Sequence, residues 1–395
     1  MKKRELLKAI AATAAIGLLS PLVQASEKEP VRIGAVSSLS GVFEQQGQEV
    51  LRAIEFAVEE ANANGGVDGR KVELEIADDE STPDGARRSA EKLAREGHNL
   101  LIGPISSSIS MTLSQNLDRW DAMYVVVASK MDALTGKSCH ARMFRTNHND
   151  VMDLAMMKEW LKTVKEKRFG IIAADYTWGH SSAEFFEKTA AELGKEVKVS
   201  LFAPLGTKDF APYVAQLRDA DIDAVWVAMV GRDAISFVKQ ADSFGLNDSK
   251  RLIGHALIFQ YLIDATGDAT RNVWGNIGYG ADIDNARNRR FVAGWMDKFG
   301  RVPTENEGQA YNGIQAIFQG VRLAGSTEPG AVSKALENAE YETIYGPALM
   351  RGADHQLQIP DYIGQVTKVD GKLRPVIERA YPVELYANPS QECAL

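Results

Sequence analysis

Short apolar runs of strand length alternate with amphipathic segments of helix length over most of this chain. The series opens with VRIGAVSSL at 31–39 and its regular part ends with RLIGHAL at 251–257. Several runs are nearly continuous in Val, Ile and Ala, which is typical of strands buried on both faces. Strand–helix–strand units imply right-handed crossovers and parallel sheets. The pattern therefore predicts an α/β protein.

The alternation falls into two sets, at about 31–145 and about 150–257. With 395 residues, of which 45% are hydrophobic, the chain is long enough for two lobes with cores of their own. From about Tyr279 the pattern changes to helices and a few short strands, which we expect to complete the two lobes rather than form a third domain. The segments concerned are 291–299, 305–323, 331–339 and 362–373.

The first 25 residues have the layout of a cleavable secretory signal. A positive start at 2–4 precedes an apolar run at 9–23, and small residues lie before the expected cleavage after Ala25. The alternative is a membrane anchor, but the run is short and broken. No Cys lies at the cleavage point, so no lipid anchor is expected. We predict a periplasmic monomer without direct membrane insertion.

Charge and cysteine content narrow the function classes. A formal net charge of -8 without a basic stripe argues against nucleic acid or an anionic membrane surface as a partner. The two cysteines are Cys139 and Cys393. In an oxidising compartment they either form a disulfide that ties the C-terminal tail to mid-chain or remain two free thiols.

Polar and aromatic residues follow the predicted strands, at the edge where open parallel sheets bind ligands. Ser106, Ser107 and Ser108 lie between a strand and a helix. Their hydroxyls and the free backbone N–H groups can bind an anion, or simply cap the helix. Lys130, after the next strand, would add a positive charge or be solvated. The other strand-end residues are Phe43, Ser129, Tyr176, Trp178, Gly231, His255 and Ala256.

No catalytic arrangement is found in the sequence. The segment 179–183, GHSSA, lacks the last glycine of a nucleophile elbow, and no glycine-rich phosphate loop is present. The six histidines are scattered without metal-ligand spacing. We therefore predict no enzyme activity, no cofactor and no metal.

Several short motifs occur in the order and spacing of one family. They are Ile33-Gly34-Ala35, Leu39-Ser40-Gly41, the stretch 62–70, Asp78-Asp79 before Pro83, Ile102-Gly103-Pro104, Lys208-Asp209-Phe210 and Tyr345-Gly346-Pro347. Together they resemble the branched-chain-amino-acid branch of the periplasmic binding proteins, the receptor components of ABC importers. The resemblance covers nearly all of the mature chain. It implies the type I periplasmic binding fold, with two Rossmann-like lobes, a three-segment hinge and an inner-membrane ABC permease as partner.

The resemblance also implies where the chain crosses between the lobes and where a small ligand binds. The crossings would lie near 145–147, 279–280 and 346–347. The resulting divisions are a signal peptide at 1–25, a first lobe of 26–145 plus 280–346, and a second lobe of 146–279 plus 347–395. By motif position the ligand contacts are Ser106, Ala128 and Lys130 for a carboxylate, Phe43 and Gln46 from the first loop, and Trp178 from the opposite lobe.

Two departures from the family pattern bear on the ligand. His255-Ala256 follows a strand-end glycine where amino-acid binders have an acidic residue for the ligand's ammonium group. A missing charge-assisted contact costs about 1.5–3 kcal/mol. Lys130 stands where relatives usually have a neutral hydroxyl residue. We therefore expect a small organic carboxylate, an aromatic acid in view of Phe43 and Trp178. The alternatives are a branched-chain or other amino acid or amide, a ligand-sensing subunit, or an exported α/β enzyme.

Overall fold

The computed structural model describes residues 28–386 and 388–395 of the chain. The predicted signal segment, residues 1–25, lies outside the described residues. Two α/β lobes, each built on a mostly parallel sheet, make up the described part. Within these residues, no helix combines the length and the apolar character that a membrane span requires.

The first lobe is built on a sheet of five parallel strands. Its elements are β1 (Val31–Ser37), α1 (Glu44–Ala63), β2 (Val72–Asp78), α2 (Pro83–Arg95), β3 (Leu100–Gly103), α3 (Ser107–Ser114), α4 (Leu117–Trp120), β4 (Met123–Val126) and β5 (Met143–Arg145). The strand order is β2-β1-β3-β4-β5. Every residue of β3 and β4 is buried, as their continuous apolar runs predicted.

The second lobe repeats the alternation of strands and helices. Its elements are α5 (Asp150–Leu161), β6 (Arg168–Ala174), α6 (Thr177–Glu192), β7 (Glu196–Ala203), α7 (Ala211–Asp219), β8 (Ala224–Ala228), α8 (Gly231–Ser243), α9 (Leu246–Ser249), β9 (Arg251–Gly254), α10 (Gln260–Thr266) and β10 (Trp274–Ile277). These five strands pair in parallel. All residues of β8 are buried, because helices cover both faces of the sheet.

The remaining chain completes both lobes, as the sequence pattern predicted. Its elements are α11 (Ala286–Phe299), α12 (Glu305–Ala324), α13 (Pro329–Leu336), β11 (Glu340–Thr343), β12 (Gly346–Met350), β13 (Leu357–Gln358), β14 (Asp361–Val369) and β15 (Lys372–Tyr381). Phe56 of α1 contacts the ring of Trp295 at 5.2 Å, which fastens α11 to the first lobe. The β14–β15 hairpin extends the second sheet antiparallel to β10, giving the order β15-β14-β10-β9-β8-β6-β7.

The chain that follows the expected third crossing at 346–347 first pairs beside the first sheet. There β12 pairs with β11 and β13 in a small antiparallel sheet, and Gln356 pairs with Arg145 beside the first sheet. The second sheet is entered only at Asp361. Strands as short as β13 carry no periodicity that assigns them to one lobe.

The C-terminal tail links the second lobe back to the first. Leu385, in the 3₁₀ turn Val383–Tyr386, packs against the core of the second lobe. Tyr386 Oη donates to the carbonyl oxygen of Ile359 at 2.7 Å. Cys393 forms a disulfide with Cys139, which precedes β5 in the first lobe, and their Cα atoms are 5.6 Å apart. The structure therefore contains the bridge, one of the two alternatives left open by the sequence.

Two helices begin earlier than the apolar periodicity predicts. The first-lobe helix α1 begins at Glu44 rather than at residue 49, and α6 begins at Thr177 rather than at residue 183. Gln46 and Trp178, which the sequence placed in loops, therefore lie in the first turns of helices.

A glycine in each of these first turns explains why the pattern missed them. A Cβ atom on Gly47 would lie 1.9 Å from the carbonyl oxygen of Ser38, and one on Gly179 would lie 1.9 Å from that of Ala174. Each helix thus starts in close contact with the end of the preceding strand. Only glycine fits there, and glycine interrupts the apolar periodicity.

Candidate ligand-binding cleft

Serine side chains gather where β3 and β4 end. Ser129 Oγ donates to Ser107 Oγ at 3.1 Å, and the hydroxyls of Ser106 and Ser108 are 3.0 Å apart. The side chain of Ser106 makes no capping bond to α3. The first backbone N–H groups of a helix have no intrahelical partner and carry its positive dipole end. The cluster therefore offers hydroxyl and amide donors to an anion, beside the half-buried Ala128.

Lys130, at the next strand end, is buried and ion-paired. Its side chain is 8% exposed, and Nζ lies 2.5 Å from Asp153 Oδ2 on α5. Burial disfavours a charged lysine, but Asp153 and Glu305 raise the pKa of Lys130 above its usual range. Burial alone would raise the pKa of Asp153, yet Lys130 and His255 hold it well below its usual range. Lys130 is thus charged but not solvated, and its charge is already balanced by a protein carboxylate.

His255 is buried between two acidic side chains and a serine. Its Nε2 lies 3.3 Å from Asp150 Oδ1 and 3.5 Å from Asp153 Oδ2. Its Nδ1 is 2.9 Å from Ser182 Oγ, which also accepts a hydrogen bond from Trp226 Nε1. Burial lowers the pKa of His255, but the nearby carboxylates of Asp150 and Asp153 outweigh this effect and raise the pKa to about 9. His255 is therefore a second buried cation.

Aromatic side chains of the second lobe lie against this charged cluster. Trp178 Nε1 donates to Asp150 Oδ1 at 3.0 Å. The Trp178 ring is centred 5.1 Å from the ring of His255 and 6.1 Å from that of Tyr176. The backbone N–H of Asp150 in turn donates to the carbonyl oxygen of Lys130. Asp150 therefore connects the aromatic side chains of the second lobe to the strand end of the first lobe that carries Lys130.

A tyrosine joins the lobes at the mouth of the cleft. Tyr261 Oη accepts hydrogen bonds from Gln46 Nε2 of the first lobe at 3.2 Å and from Gly231 N–H of the second lobe at 3.0 Å. These three residues line a pocket of about 280 Å³ between the starts of α1 and α8. Phe43 is half-buried immediately before α1, and its N–H donates to Ser81 Oγ.

Two groups of buried side chains have the ligand types of a metal site. They are Asp150, Asp153 and His255, and His148, Asp153 and Asp361. Both groups share Asp153, against which the Lys130 ammonium already lies. Protonated His255 supplies a further positive charge. Lys130 and His255 therefore balance the charges of Asp150 and Asp153, and burial raises the pKa of Asp361 well above its usual range.

Several contributors to the cleft were missed in the sequence. Asp150 and Asp153 lie three residues apart at the start of α5, a spacing that puts both on one helix face but is also usual for acids near a helix N-terminus. Ala256 has a positive φ of 58°, and its N–H donates to Asn276 Oδ1 at 2.9 Å, so this amide is bonded within the second lobe. The residues missed are Asp150, Asp153, Ser182, Tyr261 and Asn276.

The comparisons with known proteins agree with this architecture. A family model described as "Periplasmic binding protein" matches residues 30–372, and the chain belongs to that family. A Leu/Ile/Val-binding protein homolog 4 of Brucella melitensis is 24% identical over 385 residues, covering 93% of this chain and 91% of that protein. The family comprises substrate-binding components of transport systems rather than known enzymes.

Solved structures with the same fold include binders of different solutes. One is a solute-binding protein of an ABC transporter from Rhodopseudomonas palustris in complex with 3,4-dihydroxybenzoic acid. It has a TM-score of 0.82 and 23% identity, and the match covers 90% of this chain and 98% of that chain. Another is a leucine-, isoleucine-, valine-, threonine- and alanine-binding protein from Brucella ovis in a closed conformation. It has a TM-score of 0.82 and 22% identity, and the match covers 93% of this chain and 99% of that chain.

Proposed function

We propose that this chain is the periplasmic substrate-binding component of an ABC importer, and that it captures a small aromatic carboxylate between its lobes. It acts as a monomer and delivers the solute to an inner-membrane permease. Membership of the periplasmic binding protein family supports the transport role. The solved relative in complex with 3,4-dihydroxybenzoic acid supports the solute class.

The main structural support for a carboxylate solute is the serine cluster at the start of α3. Ser106, Ser107 and Ser129 offer hydroxyl groups beside the free N–H groups of a helix N-terminus. Such a site suits a carboxylate, because hydroxyl and amide donors stabilise an anion without a buried lysine. On the opposite lobe, Tyr176 and Trp178 supply flat apolar surface for a ring.

The charges of the cleft favour a solute without an ammonium group. Lys130 is balanced by Asp153, and Asp150 is occupied by Trp178 Nε1 and by His255. An α-ammonium group entering the cleft would have to displace one of these partners. A carboxylate bound at the serines meets no such competition.

A second candidate is an amino acid, favoured by the position of Asp150. Its side chain remains 10% exposed and lies next to Trp178, so it is the carboxylate of the cluster that a ligand ammonium could reach. The Brucella relatives named for leucine, isoleucine and valine agree with this alternative.

Two sets of boundaries complete the proposal. The mature chain would begin at about residue 26, after removal of the signal at 1–25. The pairing of β13 with β12 supports a third crossing between Gln358 and Asp361, which extends the first lobe to 26–145 plus 280–358. The second lobe is then 146–279 plus 361–395. The disulfide between Cys139 and Cys393 joins its C-terminal tail to the first lobe.

Calorimetric titration of the mature protein with matched panels tests the solute class. Benzoate and its hydroxylated derivatives form one panel, and leucine, isoleucine, valine, threonine and alanine form the other. We expect binding of an aromatic acid, and Ser107→Ala should weaken it by about 1.5–3 kcal/mol, the value of a hydrogen bond to a charged group. Ser243→Ala, at the exposed end of α8, is the matched control. Tight binding of the amino acids with no response to any acid would establish the second candidate instead.

A further inference from the structure

Tyr261 is buried in the second lobe, yet its hydroxyl group reaches the first lobe. Tyr261 is 4% exposed and belongs to the main hydrophobic core. Its Oη accepts a hydrogen bond from Gln46 Nε2, and Gln46 is itself 5% exposed. A bond between two buried groups on different lobes exists only while the lobes are together. Opening the cleft must break it.

The second lobe holds this hydroxyl group in place independently of the first. Gly231 has a φ of +62°, a conformation that favours glycine, and its N–H donates to Tyr261 Oη. The ring of Phe259 stacks on the Tyr261 ring at 5.7 Å with an interplanar angle of 18°. The acceptor that Gln46 meets is therefore already oriented before the lobes close, so closure orders few additional groups.

We propose that Tyr261 is the positioning residue that sets the equilibrium between the open and closed arrangements of the lobes. Its hydroxyl group bridges Gly231 of the second lobe and Gln46 of the first. Because closure is a shift between pre-existing states, an interaction present only in the closed state increases that state's population before any solute binds. The same interaction slows the release of a bound solute. The effect on solute release rests on the proposed function, whereas the effect on the closed-state population does not.

Tyr261→Phe tests the proposal because it removes the hydroxyl group and keeps the ring that packs on Phe259. Small-angle X-ray scattering of the mature protein without solute should give a larger radius of gyration for the variant than for the wild type. Stopped-flow release of 3,4-dihydroxybenzoate should be about two- to ten-fold faster, the factor expected for one net hydrogen bond. Tyr213→Phe, on α7 of the same lobe, is the matched control and should change neither quantity.

A double-mutant cycle separates this role from a merely structural one. If the hydroxyl group acts through Gln46, then Gln46→Met should reproduce the change in radius, and the double variant should be no more open than either single variant. Equal radii for wild type and Tyr261→Phe would overturn the proposal, as would additive effects of the two substitutions. Failure of every acid to bind would contradict the proposed function alone, because the scattering experiment contains no solute.

Discussion

Replacing Lys130 by methionine tests whether this lysine is a buried charge that stabilises the fold or a contact for the ligand. Methionine keeps most of the length and apolar volume of the lysine stem and removes only the ammonium group. Asp153 would then remain buried with its Oδ2 deprived of the partner at 2.5 Å, and its Oδ1 has no hydrogen-bond partner within the described residues. The replacement therefore leaves two buried carboxylates, Asp150 and Asp153, with the single positive charge of His255 between them.

The expected cost of this replacement is large. Removing one partner of a buried ion pair costs about 3–5 kcal/mol, because the remaining charge keeps its desolvation penalty without its attraction. Replacing both partners by apolar groups of similar volume is often neutral. We therefore expect Lys130→Met to lower the free energy of unfolding by about 3–5 kcal/mol, and Lys130→Met/Asp153→Leu to recover most of this loss.

Urea denaturation followed by tryptophan fluorescence measures the effect. The matched control is Lys162→Met, which removes an ion pair to Glu159 of the same 2.5 Å length in which the lysine side chain is 47% exposed. Its cost should stay below about 1 kcal/mol, because solvent screens an exposed pair. A cost of Lys130→Met no larger than that of the control would refute this expectation, as would a double variant less stable than Lys130→Met alone.

Three further predictions follow from the structure. Replacing Cys139 and Cys393 by serine should lower the free energy of unfolding by about 2–5 kcal/mol, measured by urea denaturation without reductant, and an unchanged value would contradict it. The pKa of His255 is raised to about 9 from 6.5. The stabilisation that protonated His255 gives to the folded state is therefore complete below pH 6.5 and is lost as the pH rises through 9. Thermal midpoints should fall over that interval, less so in His255→Gln; parallel curves would refute this. Gly179→Ala places a Cβ atom 1.9 Å from the carbonyl oxygen of Ala174, so we expect urea denaturation to show a loss of about 1–3 kcal/mol in the free energy of unfolding. Gly330→Ala, whose Cβ atom would meet nothing nearer than Arg142 Nη2 at 3.9 Å, is the control, and an equal loss in both variants would refute this.

The fold could be predicted because its main signal is local. Continuous apolar runs such as those that became β3, β4 and β8 can be buried only between two layers of helices. The amphipathic segments between them then imply the parallel order. The starts of two helices, near Gly47 and Gly179, were predicted too late in the chain. There a close backbone contact, which a linear pattern does not reveal, decides where the helix begins.

The candidate site was only partly predictable because its charges are paired across long sequence separations. Ser106, Ser107 and Ser129 were found from the strand ends alone, and the structure brings the last two into contact. Lys130 was predicted to be solvated or free for a ligand, since nothing in the sequence indicates that Asp153 lies against it. The role of a lysine depends on its neighbours in space, and a single sequence does not contain them.

The disulfide between Cys139 and Cys393 makes most of the protein a closed covalent ring. The two cysteines are 254 residues apart in sequence, and the whole of the second sheet lies between them. A protease that cuts any loop inside this ring opens it without releasing a fragment. The nicked protein should therefore migrate as one molecule on a non-reducing gel and as two pieces after reduction. Its lobes would stay tethered even after one of the three peptide crossings had been cut.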